Sequence, residues 1–263
     1  MNLGLWVTTA YDTTAQLIRE AKEAARTLGA NWVPRNRHSL KKLMETLPAA
    51  QLLVATANGF YLYFDPAEKP VRFHPSTAFL RIERLTRGGY DPLVEATAVQ
   101  PGDSVLDGTA GLASDAIVLA HAVGENGSVI ALESEKALCY VVRDGLKRYQ
   151  SESAAVNEAM RRVKLKCADH RSYLHTLPSR SFDIVYFDPM FRRPITDSAS
   201  MEPLRGVANP EPLSTETIEQ AVRVARKRVV VKEHADGKEL RRLGFDDIRP
   251  NKDGTIAYGV MKV

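Results

Sequence analysis

The chain has 263 residues, of which 44% are hydrophobic and 26% are charged, and its net charge is only +4. This composition indicates a globular protein of one large or two modest domains and excludes a disordered, collagen-like or rod-like chain. No run approaches the ~18 apolar residues of a membrane span, and no basic segment precedes the short apolar run at the N-terminus, as it would in a secretory signal. Two cysteines, Cys139 and Cys167, cannot build a disulfide framework or a cysteine-based zinc site, so we expect a cytoplasmic protein.

The first part of the chain is predicted to form a small α/β domain over residues 1–72. An apolar run is followed by a helix with apolar residues at helical spacing, which Gly29 should end. Ser39 can cap a second helix, and Asn58-Gly59 between two β-prone runs is typical of a hairpin turn. In chain order we expect a strand, a helix, an extended segment, a helix and a hairpin, at residues 4–9, 12–28, 31–34, 39–47 and 52–64.

Residues 73–263 are predicted to form a larger domain in which helices and strands alternate. The expected helices lie at residues 77–87, 92–98, 114–123, 136–149, 153–162 and 215–227. The expected strands lie at residues 104–106, 129–132, 164–167, 183–187 and 228–232, before a closing pair at 245–249 and 255–263. The alternation predicts a doubly wound, mostly parallel α/β sheet, and the closing pair predicts one antiparallel strand at or near an edge.

The strongest local signal is the loop after the first strand of this larger domain, V-L-D-G-T-A-G-L-A-S-D at residues 105–115. The strand ends in Asp107, enters a turn of small residues and opens a helix, which is where open α/β sheets bind ligands. Gly108 and Gly111 would let the backbone approach a ligand closely. The loop lacks the G-x-G-x-x-G of dinucleotide sites. A carboxylate here suits a ligand with a positive group, such as the amino-acid part of S-adenosylmethionine (SAM), the alternative being an ordinary tight turn.

Acidic residues also follow the next two strands. Glu133 ends the second strand, where an acid can bind ribose hydroxyls. Asp169 and His170 follow the third strand and could reach an adenine amine. Two alternatives stay open, because Glu133 could be an exposed acid at a strand end and Asp169 could be a helix N-cap.

The fourth strand runs into D-P-M-F at residues 188–191, on the same edge of the sheet as Asp107. The Asp188 carboxylate and the Pro189 carbonyl can accept hydrogen bonds from an exocyclic amine, and Phe191 can stack on a flat base. The pattern therefore predicts a site for an aromatic base that carries an amine. The alternative is a turn with a buried phenylalanine.

Together, D-G-T-A-G-L at 107–112, Glu133, D-P-M-F at 188–191 and V-V-V-K at 229–232 resemble class I SAM-dependent methyltransferases. More narrowly, residues 72–263 resemble the small-subunit ribosomal RNA guanine-N2 methyltransferases, which share a D-x-T-A-G-L-G-R-D loop and a D-P-M-F-P motif. The resemblance implies a seven-stranded Rossmann-like sheet, SAM as cofactor, and ribosomal RNA or the small ribosomal subunit as partner.

The resemblance and the motifs together assign roles to individual residues. We expect cofactor contacts at Asp107, Gly108, Thr109, Gly111, Ser114, Asp115, Glu133, Ser134, Asp169, His170 and Asp188. Asp188, Pro189 and Phe191 are the expected catalytic residues, and Phe191, Arg192, Arg193 and Lys232 are expected to bind substrate. No metal site is expected, because the six histidines show no paired ligand spacing.

The sequence departs from the family pattern at three places. Ala113-Ser114 stands where the family has Gly-Arg, Arg192 replaces the last proline of D-P-M-F-P, and Glu233-His234 replaces Arg-Pro. The first change alters one cofactor contact, and the other two lie on the substrate side. The nucleotide that would be methylated therefore stays open.

Basic residues occur in clusters that could neutralise phosphates, although each cluster is also typical of a solvated helix face. The clusters are Arg35, Arg37, His38, Lys41 and Lys42; Arg72, His74, Arg81, Arg84 and Arg87; Arg161, Arg162, Lys164 and Lys166; and Arg192 with Arg193. We expect a methyltransferase acting on a guanine N2 of ribosomal RNA. Two alternatives stay open, a methyltransferase for a small molecule or a protein and a non-catalytic RNA-binding module. The sequence does not determine the oligomeric state.

Overall fold

The structure is a computed structural model and describes residues 4–47, 51–189, 212–251 and 254–263. The chain divides into two compact units. The first unit extends to His74 and also includes Glu135–Tyr149. The second unit contains Pro75–Ser134 and the described residues from Gln150 onward.

Helices and strands are numbered in chain order. They are β1 (Leu5–Thr9), α1 (Ala15–Leu28), β2 (Asn31–Trp32), α2 (Leu40–Thr46), β3 (Gln51–Thr56), β4 (Gly59–Tyr63), β5 (Val71–Arg72), α3 (Ser76–Thr86), α4 (Pro92–Thr97), β6 (Ser104–Asp107), α5 (Ser114–Val123), β7 (Ser128–Glu133), α6 (Lys136–Arg148), α7 (Ala154–Arg162), β8 (Val163–Cys167), α8 (His170–Thr176), β9 (Phe182–Phe187), α9 (Thr215–Val224), β10 (Ala225–His234), α10 (Lys238–Arg242), β11 (Asp247–Pro250) and β12 (Ile256–Lys262).

The first unit is built on a five-stranded sheet in the order β2-β1-β3-β4-β5. Strand β1 runs parallel to β2 and β3, whereas β3 and β4 are antiparallel and joined at Asn58-Gly59. Gly59 has a φ of 105°, a conformation that glycine adopts without strain, so the hairpin forms where the sequence predicts it. The amphipathic helix α2 starts at its N-cap Ser39 and packs Leu43 into a buried cluster of this unit.

Helix α6 follows β7 in the chain but belongs to the first unit. Its Tyr140 packs edge-on against Phe60 of β4, with ring centroids 5.0 Å apart. Gly145 makes a close approach possible, because a Cβ at this position would collide with the side chain of Phe73. These contacts fix α6 on the sheet of the first unit.

The second unit contains a seven-stranded sheet in the order β11-β12-β10-β9-β6-β7-β8. Strands β8, β7, β6, β9 and β10 are parallel, and β12 runs antiparallel to both of its neighbours. The predicted doubly wound, mostly parallel sheet is confirmed, including the antiparallel strand next to an edge. The seven strands that the family resemblance implies are confirmed as well.

Strand β6 lies at the point where the strand order reverses. From β6 the chain builds outward through β7 to β8, and it later returns to place β9 on the other side of β6. Such a reversal opens a crevice at the carboxyl ends of the strands, where α/β sheets bind ligands. Helix α5 follows β6 directly and is buried on almost every side, as Ile117 and Leu119 show. The loop between β6 and α5 is therefore held by a rigid strand and a rigid helix.

Two further observations concern membrane spans and the cysteines. Within the described ranges, no helix is both long enough and apolar enough to cross a bilayer. Neither Cys139 nor Cys167 is a free thiol. The argument from the cysteines to a reducing compartment therefore loses its support, and the cytoplasmic location stays a prediction.

Candidate active site

Four ionisable side chains meet at the carboxyl edge of the second unit's sheet. Asp107 ends β6, Glu133 ends β7, Asp188 follows β9 and Lys232 lies near the end of β10. The strands that carry them are neighbours in the sheet. Residues separated by up to 125 positions in the sequence thus share one edge because the strands are parallel.

The loop after β6 passes closely over the end of β9. The Gly108 N–H donates to the Tyr186 carbonyl (2.8 Å), and a Cβ at Gly108 would collide with the ring of Phe187. The Asp188 N–H in turn donates to Thr109 Oγ1 (2.5 Å). Gly108 is therefore required by packing against β9, and Thr109 fixes the backbone at the start of D-P-M-F.

Glu133 is tied to the same loop. The Gly111 N–H donates to Glu133 Oε2 (3.1 Å), and the Ala110 N–H donates to the Leu132 carbonyl (2.8 Å). Gly111 has a φ of 51°, in the left-handed region that favours glycine. A Cβ built on Gly111 has no atom of the described chain within 4 Å. The loop thus presents open space beside a carboxylate that can accept from ribose hydroxyls.

Asp107 is almost fully buried, at 1% exposure, and accepts a hydrogen bond from the Thr109 N–H (3.0 Å). Burial raises the pKa of Asp107 to about 8, and the negative charges of Asp115 and Asp188 act in the same direction. A positively charged group beside this carboxyl would favour its ionised form. The chemistry of Asp107 and Glu133 and the space at Gly111 fit the ammonium and ribose of SAM.

The other predicted cofactor residues differ in their contacts and in their exposure. Asp169 caps α8, accepting from the Arg171 N–H (2.9 Å) and the Ser172 N–H (3.3 Å), so the N-cap alternative is realised. His170 lies edge-on to Phe187 at 5.6 Å, and burial lowers its pKa. Ser114 Oγ lies 2.5 Å from Thr77 Oγ1, and Ser134 is exposed.

A chain of ion pairs connects the catalytic edge with the interior. Lys232 Nζ lies 2.7 Å from Asp188 Oδ2 and 3.3 Å from Asp115 Oδ2. The Tyr186 hydroxyl donates to the same Asp115 oxygen (2.7 Å), and the other oxygen pairs with Arg81. Lys232, predicted to bind substrate, is engaged with two carboxylates of its own chain.

Burial and charge shift the pKa values of this cluster in opposite directions. Burial would raise the pKa of Asp115, but Lys232 and Arg81 outweigh it and hold that pKa well below its usual range. Burial raises the pKa of Asp188 to about 6, against the attraction of Lys232. Burial would lower the pKa of Lys232, but Asp115 and Asp188 hold it above its usual value. At neutral pH, Lys232 and Asp115 are therefore charged.

Arg81, Asp91 and Tyr186 take part in this cluster, which was not predicted from the sequence. Arg81 pairs with Asp91 through Nε (2.8 Å) and Nη2 (3.0 Å) and also contacts Asp115, so it is not free to bind phosphate. Its spacing from Ala78 and Ile82, both fully buried, was the signal that it lies on the inner face of α3.

Other predicted residues can also be located. Arg35, also counted among the phosphate-binding candidates, is buried and donates to the His38 carbonyl (2.7 Å). Pro189 is partly buried. Phe191, Arg192 and Arg193 lie outside the described residues. Within the residues that are described, no group of three or more His, Cys, Asp or Glu side chains could hold a metal ion.

Comparisons with known proteins identify relatives of this chain. A family model described as "Putative SAM-dependent methyltransferase" matches residues 41–246. The uncharacterized protein YpiP of Bacillus subtilis is 36% identical over 256 residues, which are 97% of this chain and 98% of YpiP. A Coxiella burnetii protein named ribosomal RNA small subunit methyltransferase J is 31% identical over 199 residues, covering 68% of this chain and 75% of that protein.

A solved structure shows the same fold. The crystal structure of a SAM-dependent methyltransferase from Neisseria gonorrhoeae superposes with a TM-score of 0.58 at 22% identity, covering 98% of this chain and 95% of the other. At this identity the likeness concerns the fold.

Proposed function

The chain belongs to the family of SAM-dependent methyltransferases, and from that premise we propose that it methylates an exocyclic base amine, the guanine N2 of small-subunit ribosomal RNA. One observation carries this proposal. The Asp188 carboxylate and the Pro189 carbonyl follow β9, the immediate neighbour of β6, and the Asp188 N–H is bonded to Thr109 in the loop after β6. Acceptors for an amine thus lie beside the loop proposed to hold the methyl donor.

Most of the residues proposed to hold SAM lie at the ends of β6 and β7 and in the loops that follow. Asp107 faces its ammonium, and Glu133 accepts from its ribose hydroxyls, with Gly108, Thr109 and Gly111 shaping the backbone between them. Further contacts are proposed at Ser114, Ser134, Asp169 and His170, as the family resemblance implies. When bound, SAM supplies a methyl group that its sulfonium makes electrophilic.

Asp188 and Pro189 would then orient the attacking amine. Methyl transfer forms an N–C bond, breaks the S–C bond and releases one proton from the nitrogen. Hydrogen bonds from the amine to Asp188 and Pro189 would aim the nitrogen lone pair at the methyl carbon. A carboxylate with a pKa of about 6 is ionised at neutral pH and can accept the proton as positive charge develops on nitrogen.

Ribosomal RNA as the substrate is supported by two arguments. The Coxiella burnetii relative is named as a methyltransferase of small-subunit ribosomal RNA. A base amine can react only when the base leaves its stack, and a flat base needs an aromatic partner. Phe191 is proposed for this stacking, and Arg192 and Arg193 for phosphate contacts. An rRNA substrate would also place the protein in the cytoplasm.

The direct test is methylation of purified small ribosomal subunits and of their protein-free RNA, both from a strain that lacks the gene, with isotope-labelled SAM. We expect label in RNA, released as N2-methylguanosine on complete digestion. Label in ribosomal protein, or on another base position, would contradict the proposal. Binding of RNA without transfer would favour the non-catalytic module.

The N-terminal unit offers a separate prediction about RNA binding. Lys41 and Lys42 are exposed on α2, whereas Leu43 of the same helix is buried. Replacing both lysines by alanine should weaken binding to all RNA sequences alike and lower the salt dependence by about one unit per lost phosphate contact. Filter binding to ribosomal RNA fragments at several salt concentrations measures this slope.

A matched variant separates a specific contact from a general loss of charge. Arg19 and Lys22 are exposed on α1 of the same unit, and their double alanine variant removes the same charge. We expect that variant to keep the wild-type slope. Equal slopes for wild type and the Lys41/Lys42 variant would mean that α2 exposes only a solvated face.

A further inference from the structure

We propose that Asp115 is a positioning residue that holds Lys232 beside Asp188, with Arg81 and Tyr186 fixing Asp115 in turn. This inference rests on the proposed role of Asp188 toward the amine. It gives Asp115 a role other than the cofactor contact that the family resemblance implies.

The surroundings of Asp115 leave its carboxylate little capacity for a further ligand. Oδ1 pairs with Arg81, while Oδ2 accepts from the Tyr186 hydroxyl (2.7 Å) and from Lys232 Nζ (3.3 Å). Asp115 is 8% exposed. Both oxygens thus face donors of the chain itself, and the side chain is directed into the protein.

Arg81 is itself held from the opposite side. Its Nε and Nη2 form a two-pronged pair with Asp91, at 2.8 and 3.0 Å. Asp91 is 2% exposed and caps α4, accepting from the Leu93 and Val94 N–H groups (3.1 and 3.3 Å). Such two-pronged pairs fix the guanidinium plane. Arg81 thereby connects α3 and α4 to the first turn of α5, which carries Asp115.

Lys232 is the residue of this cluster that reaches the catalytic edge. Its ammonium lies between two carboxylates and is closer to Asp188 (2.7 Å) than to Asp115 (3.3 Å). Without this cation, the charges of Asp115 and Asp188 would repel each other at a partly buried site. Asp115 keeps Lys232 at the edge, and Lys232 keeps the Asp188 carboxylate ionised and fixed in direction.

The charge on Asp188 therefore depends on groups from several elements. The titratable and charged groups facing it are Asp107 from β6, Asp115 from α5 with Arg81 of α3 behind it, Tyr186 from β9, Lys232 and Glu233 from β10, and Tyr258 from β12. Lys232 favours the ionised form of Asp188, and Asp115 opposes it. The attraction of Lys232 outweighs the repulsion by Asp115, so the shift on removal of Asp115 shows whether Lys232 stays beside Asp188 without it.

The test reads the Asp188 carboxyl directly by NMR titration of protein labelled with carbon-13 aspartate. The Asp188 signal is identified by its loss in Asp188→Asn. We expect Lys232→Met to raise the titration midpoint by about 1–3 pH units, because the neighbouring cation is gone. We expect Asp115→Asn to raise the midpoint as well, because Lys232 is no longer held beside Asp188 and its attraction outweighs the repulsion by Asp115. A lowered midpoint would mean that Lys232 stays beside Asp188 without Asp115, and it would overturn the proposal.

SAM affinity, measured by calorimetry on the same proteins, separates the two roles of Asp115. We expect Asp115→Asn to bind SAM within a factor of about three of wild type. A loss of about tenfold or more in affinity, with an unmoved Asp188 midpoint, would make Asp115 a cofactor ligand and overturn the proposal. An unmoved midpoint in Lys232→Met would overturn it as well.

Strand β10 supplies a matched control. Lys227 also lies between two carboxylates, with Nζ at 2.5 Å from Asp103 and 3.4 Å from Asp183, but its side chain is 51% exposed. It sits near the opposite end of the strand. Lys227→Met removes the same charge from the same strand and should leave the Asp188 midpoint unchanged.

Tyr186→Phe provides a second test of the positioning role of Asp115 if Asp115→Asn does not fold. Loss of the hydroxyl donor leaves the Asp115 carboxylate less fixed. Lys232 is then held less firmly beside Asp188, so the Asp188 midpoint should rise while SAM affinity stays unchanged. An unmoved midpoint would overturn the proposal. Because neither readout requires RNA, absence of RNA methylation by the wild type would refute the proposed substrate while the test of Asp115 still stands.

Discussion

Replacing Asp188 by alanine is expected to lower the rate of methyl transfer by a factor of about 10²–10³, the usual cost of losing one preorganised acceptor. The affinity for SAM should change far less, because Asp107, Glu133 and the loop at Gly111 are untouched. The fold should persist, since Lys232 keeps a carboxylate partner in Asp115 at 3.3 Å. Single-turnover methylation of ribosomal RNA measures the rate, and calorimetry measures the affinity.

Asp247→Ala serves as the control for removal of an ion-paired aspartate. Asp247 lies on the edge strand β11 and pairs with Arg249 at 2.6 Å, with its side chain 44% exposed. This variant should transfer methyl groups at the wild-type rate. If Asp188→Ala also turned over within a few-fold of wild type, the amine would have to be oriented by other groups.

Replacing Gly111 by valine is expected to remove measurable SAM binding. The φ of Gly111 is 51°, and the space into which a side chain would project is open in the described structure. In the proposed complex that space belongs to the cofactor. The valine would also displace the N–H that donates to Glu133 Oε2. Calorimetric titration with SAM and its demethylated product measures the loss.

Gly111→Val could lose SAM binding through backbone strain alone, so a control variant with the same strain is needed. A side chain in the left-handed region costs about 1–2 kcal/mol wherever it occurs. Gly29 ends α1 with a φ of 61° and also has no atom of the described chain within 4 Å of a built Cβ. Gly29→Val should therefore lose a similar free energy of unfolding but bind SAM normally. Wild-type SAM affinity in Gly111→Val would show that the cofactor lies elsewhere.

The elements that the sequence predicts best are those encoded by neighbouring residues. The hairpin at Asn58-Gly59, the helix ended by Gly29 and the strand–turn–helix at 105–115 each depend on turn chemistry and periodicity within a few positions. The short helices α8 and α10 were missed, because so few residues establish no apolar period. The helix predicted to reach residue 227 ends at Val224, since β10 begins at Ala225 to pair with β9.

The alternation of strands and helices determined the doubly wound sheet, and the acids at its strand ends determined which edge carries the candidate site. Only the tertiary structure decided which partners those acids have. Arg81 and Asp115 are 34 residues apart, Asp188 and Lys232 are 44 apart, and Asp115 and Lys232 are 117 apart. Charges at such separations carry no local pattern, and they become one cluster only when α3, α5, β9 and β10 pack together. In the sequence Arg81 is one of several basic residues, whereas burial makes it the partner that two carboxylates require.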